Sequence, residues 1–158
     1  MARSGGKGRT NLTWREERII VSGFVGRFEH SLDAKGRVIL PVRFRDTFSK
    51  GGFLTPNREG CVALWTPSEF ERQMSDMLER SKGDRSGRNQ ARLWASNAAE
   101  VEIDRQGRMA IPPHLRELAA LEGEVLITGA IDRIELWSPA VWEQKVRPMD
   151  QWFLEDDE

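Results

Sequence analysis

The chain has 158 residues, 39% of them apolar, and a formal net charge of −1. That is enough apolar material to bury a core, in one domain or in two small ones that depend on each other. The single cysteine, Cys61, excludes an internal disulfide and gives no metal-site spacing, a usage that suits a reducing cytoplasm. The near-neutral total excludes a uniformly basic body, so any anion site has to be local, and apolar stretches such as Ile19-Ile20-Val21 are too short for a signal-peptide core or a membrane span.

In chain order, residues 1–23 read as a flexible basic arm: Gly5, Gly6 and Gly8 loosen it, and Arg3, Lys7, Arg9, Arg15 and Arg18 outweigh Glu16 and Glu17. Residues 24–79 form a first repeat. Its signature is a strand, the tight turn Asp33-Ala34-Lys35-Gly36, and the short apolar strand Val38-Ile39-Leu40, stopped by Pro41. Asp at the first and Gly at the fourth position suit a type I turn, in which the Asp side chain accepts backbone hydrogen bonds and Gly tolerates positive φ. Such a turn followed by Gly is a common hairpin connection with a bulge. A strand of three consecutive apolar residues is expected to be buried on both sides.

A short helix over 43–48 follows, then a strand from Cys61 to Trp65. Thr66-Pro67-Ser68-Glu69 next has the pattern of a capping box with proline at the first helical position, and Phe70, Met74, Met77 and Leu78 supply a stripe for burial. Residues 80–99 read as a basic loop, carrying Arg80, Lys82, Arg85, Arg88 and Arg92 with Gly83 and Gly87, that leads into a helix over Ala91 to Ala99.

Residues 100–147 repeat the plan. Aligning His30–Asp46 with Val101–Glu117 matches Asp33 with Asp104, Gly36 with Gly107, Arg37 with Arg108, Pro41 with Pro112 and Arg45 with Arg116. Composition alone gives about one such identity. Met109-Ala110-Ile111 answers Val38-Ile39-Leu40, and Leu136-Trp137-Ser138-Pro139 answers Leu64-Trp65-Thr66-Pro67. The helix expected from His114 to Leu121 carries Leu115, Leu118 and Leu121 at helical spacing, with Gly123 as the expected C-terminal cap. Residues 148–158 form an acidic tail ending in Glu155, Asp156, Asp157 and Glu158. Each half has too few strands to close a core alone, so the halves are expected to pair, and the sheet edges left over favour a homo-oligomer.

The Asp-x-x-Gly-Arg turns, each followed by an apolar strand and proline, resemble the AbrB-like DNA-binding fold. With "FEHSLDAKGRVILPVRFRD", "VEIDRQGRMAIPPHLRELA", "LWTP" and "LWSP", the chain from about Phe24 to Gln144 resembles the MraZ family of bacterial transcriptional regulators. The resemblance implies a mainly β fold with short helices, an α+β double-split β-barrel of the swapped-hairpin type built from two internal repeats. It also implies a ring-shaped homo-oligomer that binds repeated operator boxes in double-stranded DNA, as a repressor of its own division and cell-wall gene cluster. It places Asp33/Arg37 and Asp104/Arg108 in the family's paired motifs. The basic extension before Phe24 departs from the family pattern.

Two readings compete for Arg37 and Arg108: contact with guanine or phosphate, or pairing with the aspartate of their own turn; the two are compatible if the aspartate orients the guanidinium. Asp33, Gly36, Asp104 and Gly107 would then shape the turns. Lys35 and Arg105 lie within the turns as candidate phosphate contacts, with simple solvation as the rival. Arg45 and Arg116 are candidate DNA contacts or partners for Asp46 and Glu117. The six tryptophans invite a base-stacking role, but Trp65 and Trp137 sit at matched positions on apolar strands, as packing residues do. Cys61, His30 and His114 are isolated in sequence and recur in neither copy, so no catalytic or metal site, cofactor or small-molecule substrate is expected. The protein is expected to be cytoplasmic and nucleoid-associated, without a membrane partner. The rivals are an AbrB-like antitoxin that binds DNA and a toxin, and a structural oligomer that binds no DNA.

Overall fold

The computed structural model describes residues 23–155. The arm expected at 1–23 therefore lies outside the described residues apart from Gly23, as do the final residues 156–158. The first repeat runs β1 (Arg27–Ser31), β2 (Arg37–Ile39), α1 (Val42–Arg45) with one 3-10 turn over Asp46–Phe48, β3 (Gly52–Pro56), β4 (Val62–Trp65), α2 (Pro67–Ser81) and α3 (Arg85–Asn97). The second runs β5 (Ala99–Val101), β6 (Arg108–Ala110), α4 (Pro113–Leu118), β7 (Glu124–Gly129), β8 (Ile134–Trp137), α5 (Pro139–Lys145) and α6 (Met149–Glu155). The fold is α+β with an antiparallel sheet and mostly short helices.

The repeats interleave. A six-stranded sheet has the order β1-β7-β8-β4-β3-β5, and β2 pairs with β6 in a separate two-stranded ribbon. Thus β1 of the first repeat pairs with β7 of the second, and β5 of the second pairs with β3 of the first. The two remaining cross-repeat pairings put matched residues face to face: Val38 opposite Met109 in β2·β6, and Ala63 opposite Glu135 in β4·β8. A pseudo-twofold axis passes through both. The expected turns form, but they do not join paired strands. After Asp33 the chain leaves the main sheet for the ribbon, so β1 and β2 have different partners and no hairpin ladder develops.

The core lies between sheet and ribbon, where Val38, Leu40, Met109 and Ile111 meet Phe44, Phe48, Leu115, Ile127 and Leu136. Each such side chain contributes about 1.5–3 kcal/mol through removal from water. Ile39 is 43% exposed, and Ala110 is exposed as well, so the ribbon is buried on one face only and the two-sided burial expected for it does not hold. Alternation wins because nothing described packs on its outer side. Trp65 and Trp137 are buried, as their matched placement led us to expect. Their indole N–H groups donate to Thr55 Oγ1 at 2.8 Å and Glu135 Oε1 at 3.1 Å.

The helices depart from the pattern in instructive places. Thr66 caps α2 by accepting from the Glu69 N–H, as expected, but only Phe70 of the stripe is buried; Met77 is half-buried, and Met74 and Leu78 are exposed. The α2 contact with the core is made by its first turns, and α3 then covers Phe70 with Trp94. Helix α3 begins at Arg85, six residues earlier than expected, because Asp84 accepts from the Gly87 N–H at 2.8 Å. Gly87 lies inside the helix, and the close approach of the Arg80 carbonyl oxygen, 2.1 Å from where a Cβ would stand, requires glycine there.

Leu118 is exposed at 58% although Leu115 and Leu121 are buried. Helix α4 ends before Leu121 could continue the stripe. Its cap is not Gly123: Ala120 takes the left-handed conformation at φ 54°, and the Leu121 N–H donates to the Arg116 carbonyl at 2.9 Å. Most of the acidic tail is helical, as α6.

Ala120→Gly is expected to stabilise the fold by about 0.5–1 kcal/mol, the left-handed penalty of a side chain offset in part by the freedom glycine gains when unfolded. Urea unfolding measures it, and an unchanged midpoint would mean that Ala120 carries no strain.

Candidate nucleic-acid interface

The two turns are built alike. Asp33 Oδ1 accepts from the backbone N–H groups of Lys35 and Arg37, both at 2.9 Å, and Oδ2 accepts from Arg37 Nε at 2.8 Å. Asp104 Oδ1 accepts from the N–H groups of Gln106 and Arg108 at 2.9 Å, and Oδ2 from Arg108 Nε at 2.7 Å. Backbone bonds close each loop: Gly36 N–H donates to the Asp33 carbonyl at 3.0 Å and Gly107 N–H to that of Asp104 at 2.9 Å. Gly36 and Gly107 have φ values of 76° and 83°, in the region that only glycine enters without penalty.

Each aspartate is thereby held ionised. Its pKa is lowered chiefly by the backbone N–H of the arginine four residues on, against some desolvation, with help from the arginine side chain and the second N–H. The arginine gains orientation. With Nε committed to the aspartate, the two Nη groups of Arg37 and Arg108 donate to no described residue.

The turns are joined across the repeats. Leu40 N–H donates to the Gly107 carbonyl at 2.7 Å, and Ile111 N–H to the Gly36 carbonyl at 3.0 Å. Above each glycine lies an arginine of the other repeat: a Cβ on Gly36 would fall 2.6 Å from Arg116 Cζ, and one on Gly107 would fall 2.4 Å from Arg45 Cζ. These arginines donate Nε to the carbonyls of Leu40 (Arg45) and Ile111 (Arg116), both at 2.9 Å. Neither forms the helix ion pair with Asp46 or Glu117 that their positions suggest; both are half-buried covers over the opposite turn. Their recurrence at one offset was visible in sequence, but what they touch depends on the swapped pairing.

The outcome is a small rigid surface. Arg37 stands opposite Ala110 and Ile39 opposite Arg108 in the ribbon register, and these four residues share its outer face because Val38 and Met109 point inward. The two arginines occupy diagonal corners, roughly 7–8 Å apart at the backbone for such a pair. Lys35 and Arg105 are exposed on the turns beside them. Ile39 and Ala110 belong to this face and were missed as surface residues; strict period-two reading of the ribbon would have found them.

The other chemistry-bearing residues stay apart. Cys61 is buried, and burial pushes its thiol far above the ordinary range, so it stays protonated. His114 Nε2 lies 3.1 Å from the Asn97 carbonyl oxygen. No group of three or more His, Cys, Asp or Glu suited to a metal ion occurs among the described residues. No described helix is long and apolar enough to cross a membrane.

A two-repeat α+β protein with reciprocally covered Asp-x-x-Gly-Arg turns defines a class, and sequence comparison gives it a family. The family model described as "MraZ protein, putative antitoxin-like" matches twice, over residues 24–93 and 94–156. A protein named transcriptional regulator MraZ from Caldanaerobacter subterraneus subsp. tengcongensis is 34% identical over 131 residues, covering 83% of this chain and 92% of that one. Proteins of the same name from Acetivibrio thermocellus (38% identical; 76% and 84% covered) and a Nocardioides species (36%; 85% and 94%) are similar too. The chain belongs to the MraZ family.

Gly36→Ala and Gly107→Ala should each destabilise by more than 1 kcal/mol, since each combines a left-handed side chain at about 1–2 kcal/mol with eviction of the covering arginine. Thermal unfolding would show a fall in Tm of several degrees, and no fall would remove the arginine covers from the account. The aspartates predict an acid limb as well. A depressed folded-state pKa adds stability above the unfolded carboxylate value, near 3.9, and that stability disappears as pH falls through the lower folded values. Asp33→Asn with Asp104→Asn is expected to flatten Tm against pH below about 4.

Proposed function

We propose that this chain is a sequence-specific DNA-binding transcriptional regulator that represses its own division and cell-wall gene cluster. The observation that carries the reading is the pair of outward arginines, each fixed through Nε by its turn aspartate, with both Nη groups left to donate. A guanidinium so presented can pair bidentately with guanine O6 and N7, or clamp a phosphate. Lys35 and Arg105 add sequence-independent phosphate contacts beside it, while Arg45 and Arg116 act from behind by holding the turns in shape. The relatives named transcriptional regulator support the same reading.

In this reading the partners are double-stranded DNA carrying repeated operator boxes and further copies of the chain. The two halves form a double-split barrel, and copies associate head to tail into a closed ring. Ring closure brings several turn pairs to one DNA, so contacts weak alone add through effective concentration. The protein works in the cytoplasm at the nucleoid and catalyses no reaction. The family description as antitoxin-like favours a second reading, in which the chain also captures a toxin.

The test is a gel-shift titration on DNA from upstream of its own gene against scrambled DNA of equal composition. Preference for the upstream DNA is expected. Arg37→Ala with Arg108→Ala should keep the circular dichroism spectrum and weaken binding by about a hundredfold, two contacts at roughly 1–3 kcal/mol each. Log K should fall by about 0.9 per log unit of salt for each phosphate neutralised. Equal binding of both DNAs, or a double mutant that binds normally, would sink the reading; recovery of a stable toxin in pull-downs would support the second.

A further inference from the structure

The pseudo-twofold axis relates the two halves of the sheet's outer face, and the halves are not finished alike. In the first repeat Phe53 and Phe70 stack at 4.1 Å between centroids, and Trp94 of α3 stacks on Phe70 at 5.2 Å. Strand register identifies the counterparts. Phe53 is opposite Trp65 and Leu126 is opposite Trp137, so Leu126 answers Phe53; Trp142 answers Phe70 at the same distance after the capping proline. Where Trp94 would have its counterpart there is a groove of about 190 Å³ beside Leu126, Pro139 and Trp142. A cavity of about 150 Å³ suffices to hold a benzene ring.

Among the described residues nothing fills this groove. Helix α6 follows α5 as α3 follows α2, yet its Trp152 is 60% exposed. Charge also argues against α6. The groove is edged by Glu29, Glu124 and Glu143, with Arg27 as the one cation, already engaged over the Trp142 ring at 4.9 Å. Helix α6 carries Asp150 and Glu155 and is followed by Asp156, Asp157 and Glu158. An acidic helix would meet an acidic rim.

We propose that the groove receives Trp14 of the same chain, from the segment that precedes β1. That segment has the required chemistry: one aromatic, Trp14, flanked by Arg15 and Arg18 and preceded by Arg3, Lys7 and Arg9, against Glu16 and Glu17. It also has the reach. It joins the described chain at Gly23, four residues before the groove residue Arg27, and the thirteen residues from Trp14 to Arg27 can span up to roughly 45 Å. The family match begins only at residue 24, so the groove lies within the matched residues and the occupant before them. The arm supplies by insertion the aromatic that α3 supplies in the first repeat.

Hydrogen exchange read by mass spectrometry on the full chain tests this. Peptides covering 10–18 and α5 should both be protected, and Trp14→Ala should raise exchange in both by about tenfold, the loss of one buried aromatic contact. Glu29→Gln with Glu124→Gln and Glu143→Gln should loosen the same two peptides by removing the complementary rim. An unchanged circular dichroism spectrum checks that the variants fold. Three outcomes overturn the proposal: a 10–18 peptide exchanging as fast as an unstructured one, α5 protection that survives Trp14→Ala but is lost in Trp152→Ala, or Trp14-dependent protection that fades on dilution and so comes from a second copy.

Discussion

Val38 and Met109 face each other at the centre of the ribbon, one from each repeat and both fully buried. Everything at the candidate interface hangs from that contact. It fixes which side of two three-residue strands points inward, and so decides that Arg37, Ile39, Arg108 and Ala110 point out. A strand this short makes too few hydrogen bonds to hold its own register. Burial of the matched pair does so, and a shift by one residue would turn both arginines into the core.

The same exchange leaves each half incomplete without the other. The carbonyl of each turn glycine is satisfied by an N–H of the other repeat, and each glycine is covered by the other repeat's arginine. A separated half would leave those backbone groups unpaired and a glycine face bare, besides losing the β1·β7, β3·β5 and β4·β8 pairings of the sheet. The arginine covers also keep four guanidinium groups near one axis, which their mutual repulsion opposes. The turn aspartates relieve two of them, and the carbonyls of Leu40 and Ile111 hold the other two.

Much of this was legible in sequence because it rests on local chemistry. The Asp-x-x-Gly-Arg turns, the Thr66 cap and the matched tryptophans each follow from a few adjacent residues, and each is found in the structure. What escaped depends on partners distant in the chain. The hairpin expected at Asp33 fails because β1 and β2 find better partners in the other repeat. Arg45 and Arg116 read as DNA contacts or as members of helix ion pairs, because the glycines they cover are more than sixty residues away in sequence. Met74, Leu78 and Leu118 carried a helical stripe that the neighbouring elements are too short to cover, and Ala120 took a conformation that composition assigns to Gly123. Periodicity reports which face could be buried, and packing decides how much of it is.

The twin geometry of the turns sharpens the question of what distinguishes them. Their backbones, aspartates and arginines superpose in every hydrogen bond, so a difference in recognition has to come from the exposed positions that the duplication did not preserve. The first turn carries Ala34 and Lys35 where the second carries Arg105 and Gln106. One therefore offers a flexible ammonium at its third position, a point charge suited to a phosphate. The other offers a guanidinium at its second and an amide at its third, and an amide can both donate to and accept from a base edge. In the regulator reading the two turns are then unequal readers on a common frame, the second better equipped for bases and the first for backbone. A site for one protomer would be asymmetric although the fold that reads it is nearly twofold.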